Sequence, residues 1–100
     1  MPKIAFQIPH GLGKVEAARR VKEFLPRVRS RYEGQVSNLE ESWEDDCLAF
    51  GFSTFGFKVN GKMEVEEDRV AFDADLPFAA RMFKGRIEQT IREEVDKLLS

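Results

Sequence analysis

Apolar and polar residues alternate along most of this chain, and two stretches with a helical period interrupt the alternation. Ile4, Phe6 and Ile8 alternate with Ala5 and Gln7, which predicts a short strand. Pro9-His10-Gly11-Leu12-Gly13 ends it, because Pro9 has no N–H for a ladder and the glycines open unusual backbone angles. Over residues 14–31, Val15, Ala18, Val21, Leu25 and Val28 form one helical stripe, which Tyr32 extends. Glu16 and Arg20, like Glu23 and Arg27, stand four apart in the favourable order. Pro26 conflicts with a continuous helix and predicts a kink or break near Lys22 to Leu25.

Gly34 is placed to stop that helix, and residues 35–76 then read as an antiparallel meander. Val36 to Trp43 is its weakest strand, with poor alternation. Leu48, Phe50 and Phe52 alternate cleanly; so do Phe57, Val59, Gly61, Met63 and Val65, and then Val70, Phe72, Ala74 and Leu76. Turns are expected at Glu44-Asp45-Asp46, at Ser53 to Gly56 and at Glu66 to Arg69, and connections this short force antiparallel neighbours. Asp75 as a cap and Pro77 near the start open a last helix over 78–99. Its stripe is Phe83, Ile87, Ile91, Val95 and Leu98. Gly85 inside it costs about 1 kcal/mol against Ala, and is expected to mark a close approach to another backbone.

Each strand shows one apolar face, so the sheet needs cover on one side, and the two helical stripes supply it. The expected fold is a single α+β domain over 1–100. It has two layers: an antiparallel sheet of about five strands, covered on one face by a kinked N-terminal helix and a long C-terminal helix, in the order β-α-β-β-β-β-α.

At 100 residues and 11.5 kDa the chain has room for one domain. Nine Phe and a net charge of −2 argue for a packed core over disorder. No apolar run is long enough to span a bilayer, and no secretory leader follows Met1, so a cytoplasmic setting is expected. The single Cys47 excludes an internal disulfide or a multi-cysteine zinc site. Charge is unevenly spread: residues 1–32 carry eight Lys/Arg against two Asp/Glu, and residues 33–75 carry three against twelve. Charge matching within one domain accounts for this more simply than two binding surfaces.

Few residues could carry chemistry. His10 is the lone histidine, with no nucleophile or orienting group at a triad's spacing, so a structural role in its turn is favoured. Gly11-Leu12-Gly13-Lys14 lacks the spacing and Lys-Ser/Thr ending of a phosphate loop, and also the third glycine of a dinucleotide fingerprint. Cys47 follows Asp45 and Asp46, which oppose thiolate formation. The acidic cluster around Trp43 has no calcium-loop spacing. Arg19, Arg20, Arg27 and Arg31 share a face with Glu16 and Glu23 and have no interleaved aromatics, so a solvated face is favoured over nucleic-acid binding. The phenylalanines are the most unusual feature. Phe50, Phe52, Phe57, Phe72, Phe78 and Phe83 either fill a core or line an apolar cleft against the last helix. Phe55, at a hairpin tip, is expected to be exposed as a contact residue.

Ile8-Pro9-His10-Gly11-Leu12-Gly13 with Glu16-Ala17-Ala18-Arg19-Arg20, and Leu76-Pro77 with Phe83-Lys84-Gly85-Arg86-Ile87-Glu88 and Ile91, resemble the bacterial polyhydroxyalkanoic acid system family over nearly the whole chain. Pro26 and the acidic stretch around Trp43 depart from it. The resemblance implies a small protein of polyhydroxyalkanoate granule formation or regulation, without established catalytic residues, cofactor or metal. His10, Lys84, Arg86 and Glu88 match recurrent positions and stand as contact candidates beside Phe55. The element order also resembles a shortened helix-grip fold, as in polyketide cyclase-like domains, which implies a small pocket or none at this length.

Two readings follow. In the first, the chain is a non-enzymatic accessory protein that meets a polyhydroxyalkanoate granule or a phasin-type protein through its surface, without nucleic acid or a membrane span. In the alternative, it binds a small apolar or acyl ligand between the sheet and the C-terminal helix, with Phe50, Phe52, Phe57, Phe72 and Phe83 as the lining. An enzyme built on His10 and a carboxylate is a distant third.

Overall fold

A computed structural model describes residues 3–100. The chain runs β1 (Lys3–Pro9), α1 (Lys14–Val21), α2 (Phe24–Arg31), β2 (Val36–Glu44), β3 (Cys47–Thr54), β4 (Phe57–Val65), β5 (Arg69–Asp75), a 3-10 segment (Phe78–Phe83) and α3 (Lys84–Leu99). The strands form one antiparallel sheet in the order β1-β5-β4-β3-β2. All helices pack on one face, giving the two-layer α+β architecture that the alternation implies. The long last helix packs against the sheet and against the broken helix that follows β1.

Pro26 acts as expected. The helix breaks at Lys22-Glu23, so Pro26 falls in the first turn of α2, where its missing N–H leaves no bond unmade. The buried stripe also differs from the expected one. Ala17, Val21, Phe24, Leu25 and Val28 are the buried positions, whereas Val15, expected on the stripe, is 86 % exposed. The C-terminal element differs as well: residues 78–83 are a tight 3-10 segment instead of the first turns of one long helix. Asp75 ends β5 and makes no cap, and without a side-chain cap the entry tightens into i,i+3 bonding. Gly85 lies at the start of α3, and a Cβ there would meet open space, so it marks no close approach.

The core sits between sheet and helices. Phe6 stacks on Phe72 (4.7 Å between ring centres), Phe72 tilts against Phe50 (5.5 Å), and Phe50 meets Phe24 of α2 edge-on (5.6 Å). Phe50 on β3 and Phe72 on β5 are separated by β4, so their backbones stand about 10 Å apart. Their rings meet because the residue of β4 opposite Phe50 is Gly61. A Cβ on Gly61 would lie 2.8 Å from Phe50 Cζ and 2.6 Å from the Asp73 carbonyl oxygen.

At the surface of α1, Glu16 accepts from Arg19 Nε (2.9 Å) and Arg20 Nε (2.9 Å), and these hydrogen bonds hold its carboxyl down at about 2. Arg20 also donates to the carbonyls of Leu98 (3.2 Å) and Ser100 (2.9 Å), tying α1 to the C-terminal end of α3.

Replacing Gly61 by Ala tests the aromatic packing. The new methyl must displace a backbone carbonyl as well as a ring, so Gly61→Ala is expected to lower unfolding free energy by about 1–3 kcal/mol. Urea denaturation should show a lower midpoint at unchanged slope, and a wild-type midpoint would show that Phe50 and Phe72 do not depend on the gap.

Candidate functional site

Two adjoining features stand on the helix-covered side of the sheet: an apolar end and a pocket beside it. The apolar end is built by the β3–β4 turn and the 3-10 segment. Phe55 and Gly56 form a two-residue hairpin loop, with φ of 54° and 79°. Both values lie in the left-handed region that a type I′ turn requires. Phenylalanine is poorly suited there, at a cost of roughly 1–2 kcal/mol. Its ring stacks on Phe83 (4.9 Å), with the Arg86 guanidinium over it at 5.6 Å, and Phe83 also meets Phe57 at 6.0 Å. Phe55 is nonetheless 44 % exposed, and beside it on the 3-10 segment Phe78 is 65 % and Met82 79 % exposed. Phe78, weighed above as a core or cleft residue, is therefore at the surface. Arg81 lies over the Phe78 ring at 4.4 Å.

The pocket has a volume of about 110 Å³ and lies between the sheet and helices α2 and α3. Val28, Val36, Phe52, Ile87 and Ile91 form apolar walls, and Phe55 and Arg86 stand at the edge. Tyr32, Thr90 and Glu94 bring polar groups to it. Glu94 is only 1 % exposed and is held by Arg27 Nε at 3.1 Å and Arg31 Nε at 3.3 Å. The pair expected between Glu23 and Arg27 is thus replaced by a tertiary one, and Arg27 and Arg31 do not form a purely solvated face.

The other named residues fall as follows. Of the phenylalanines weighed as a lining, Phe52 borders the pocket, Phe50 and Phe72 are packed in the aromatic core, and Phe57 and Phe83 are half-buried beside Phe55. His10 ties two loops together. The Leu12 N–H donates to His10 Nδ1 (3.2 Å), so the ring's Nε2–H is left to donate to the Glu66 carbonyl (3.1 Å). The His10 backbone N–H donates to the Asp68 carbonyl at 2.9 Å. Lys84 and Arg86 open α3 beside the apolar end, with Glu88 one turn further on. Cys47 is a half-buried free thiol. Reasoning from sequence missed Glu94 and Met82. The signal for Glu94 was its place one residue before Val95 on the buried stripe of a helix otherwise charged on its outer face.

A family model described as "Putative polyhydroxyalkanoic acid system protein" matches residues 4–99. The chain belongs to this family. A comparison with curated proteins finds no match. Among solved structures, TTHA0849 from Thermus thermophilus superposes with a TM-score of 0.57 at 16 % identity, over 98 % of this chain and 92 % of that one. DynU16, a protein in the dynemicin biosynthetic locus, gives 0.61 at 11 % identity, over 97 % of this chain but 46 % of its own. The hypothetical protein jhp0584 from Helicobacter pylori gives 0.50 at 11 % identity, over 99 % and 88 %. At these identities the likeness is one of fold.

The Glu94 cluster makes an asymmetric prediction. Removing both cations (Arg27→Met with Arg31→Met) strands a buried carboxylate and should cost about 3–5 kcal/mol. Glu94→Leu leaves two partly exposed arginines that can turn to water, and should cost less than half as much. Equal losses in chemical denaturation would mean that Glu94 is not effectively buried.

Proposed function

We propose that this member of the polyhydroxyalkanoic acid system family is a non-enzymatic, cytoplasmic accessory protein that acts in granule formation or its regulation through surface contact. The observation that carries this is the apolar end. Three of the four exposed large apolar side chains among the described residues, Phe55, Phe78 and Met82, belong to the β3–β4 turn and the 3-10 segment, which meet through Phe55 and Phe83. Scattered exposed apolar residues are ordinary, but grouped ones favour association with an apolar partner. A granule's polyester surface, or a phasin-type protein coating it, has that character. A role for His10 as a general base has little support, because both ring nitrogens are engaged in holding loops. Nucleic acid is left out of the reading because Arg20 is directed to carbonyls of α3 and Arg27 and Arg31 to Glu94.

Co-sedimentation with washed polyhydroxyalkanoate granules tests this. Wild type should pellet at low and high salt. A triple variant, Phe55→Asn with Phe78→Ser and Met82→Ser, should stay in the supernatant with a normal melting temperature, since Asn suits the turn and the other two side chains are largely exposed. Wild type that stays in the supernatant at both salts, or a variant that pellets like wild type, would sink direct contact through this end.

The pocket supports a second reading, a site for a small acyl ligand. At about 110 Å³ it is well below the few hundred cubic ångströms of ordinary ligand pockets, so it suits a few carbons and not a polymer chain. Hexanoate is a fair probe, with its chain among Val36, Phe52 and Ile91 and its carboxylate at Arg86. Saturable shifts of the Val36, Ile87 and Thr90 amide signals, lost in Arg86→Met, are the expected result. Shifts that never saturate, or that survive Arg86→Met, would rule the reading out.

A further inference from the structure

Charge is unevenly placed along the strands: acidic turns gather at one end, whereas toward the other Asp75 is paired to Lys3 at 3.7 Å. The turns Glu44-Asp45-Asp46 and Glu66-Glu67-Asp68 lie side by side, joined where the Val65 N–H donates to the Asp46 carbonyl at 2.9 Å. Their six carboxylates face Lys14, paired to Asp46 at 3.4 Å, and Arg69, paired to Glu66 at 3.1 Å. The other end of β3, about 25 Å away, is the apolar end. Residues 76–87 there carry Arg81, Lys84 and Arg86 and no acidic residue. Among the described residues none of these three cations makes a salt bridge, though Arg81 and Arg86 cover the Phe78 and Phe55 rings.

The placement of the cations runs against local stability. Lys84 and Arg86 occupy the first turn of the 16-residue helix α3, and that first turn holds no acidic residue. The positive end of the helix dipole favours carboxylates there and disfavours cations. Phe55 sits at a backbone angle better suited to glycine or asparagine, and Phe78 and Met82 are left in water. Each choice costs a little stability, and all are concentrated at one end, which is the pattern expected where function overrides folding. Exposed apolar side chains with three cations that make no salt bridge among the described residues match the chemistry of an anionic amphiphile layer, with rings among acyl chains and cations among headgroups.

We propose that the chain binds anionic phospholipid layers end-on through Phe55, Phe78, Met82, Arg81, Lys84 and Arg86, with the acidic turns directed away from the layer. The inference deepens the reading of this end as a contact surface, but it does not require that the layer coat a granule. Repulsion of the acidic turns from the same headgroups makes one orientation preferred, so the turns remain free on the outer side. The interaction is reversible, because three side chains and three cations fall far short of an inserted helix.

The native chain carries one indole, Trp43, on β2 beside the acidic turns, where it pairs with Leu48. Phe78→Trp in a Trp43→Phe background moves the single indole to the other end. Both proteins are mixed with vesicles of phosphatidylglycerol or of phosphatidylcholine containing brominated acyl chains, and their fluorescence and sedimentation are followed. Phosphatidylglycerol vesicles should pellet both proteins and quench the indole introduced by Phe78→Trp while sparing Trp43. Phosphatidylcholine should bind at least tenfold more weakly. Each charge removed by Arg81→Gln or Lys84→Gln should weaken binding roughly fivefold. Equal affinity for both lipids, or quenching of Trp43, would overturn the proposal. Vesicle binding as described without granule pelleting would keep this inference and remove the granule. Granule pelleting without selectivity for phosphatidylglycerol would do the reverse.

Discussion

The absence of a side chain at Gly61 is the constraint on which the packing of this domain depends. Two phenylalanines on strands that are not neighbours, Phe50 and Phe72, meet over it at 5.5 Å. That contact joins the β1–β5 side of the sheet to the β3–β2 side with aromatic rings instead of backbone bonds alone. Phe24 then seats α2 against Phe50, and Phe6 extends the row to the sheet edge. A side chain at Gly61 would hold the rings apart, and the helix layer would lose its reference surface. Glycine weakens a strand locally, and here it is offset by the rings lying across it.

The helix layer is fixed from the other side by charge. Glu94, on the buried face of α3, is partnered by Arg27 and Arg31 of α2, and Arg20 of α1 is bonded to carbonyls at the end of α3. The break at Lys22-Glu23 makes both contacts compatible, because α1 and α2 can then address α3 at different angles. No buried side-chain polar atom among the described residues lacks a partner. The small pocket between sheet and helices is what remains once these constraints are met, and its Glu94 serves the helix pairing first.

Most of the architecture was legible because strand alternation and turn chemistry are local. Pro26 located the helix break, and the short connections gave the antiparallel order of β2 to β5. What escaped depends on partners distant in sequence. Glu23 and Arg27 have ideal helical spacing, but the break after Val21 and the nearness of Glu94 redirect the arginine. Val15 lies outside the buried stripe because, within α1 itself, it stands about 160° around the helix from Ala17, which faces the core. Phe78 resembles any core phenylalanine in sequence, and only the tight 3-10 segment after Pro77 directs it outward. Phe55 was readable as exposed because a hairpin tip has no core to enter. Its left-handed backbone and its stack on Phe83 were not readable, since the partner lies 28 residues away.

These misses are not evenly distributed. Where local rules and the final structure agree, as in β3 to β5 and along α3 after Arg86 apart from Glu94, the residues serve folding. Where they disagree, two causes separate. At Glu94 the disagreement is repaired inside the fold, by two arginines within 3.3 Å. At Phe55, Phe78, Met82, Lys84 and Arg86 the repair within the chain is partial: Phe55 stacks on Phe83, and Arg86 and Arg81 cover the Phe55 and Phe78 rings, but Phe78 and Met82 stay largely exposed and the cations make no salt bridges among the described residues. A small domain has a thin margin of stability. A cost only partly offset and held at one end is therefore better explained by something outside the chain that completes it than by tolerance of disorderly packing.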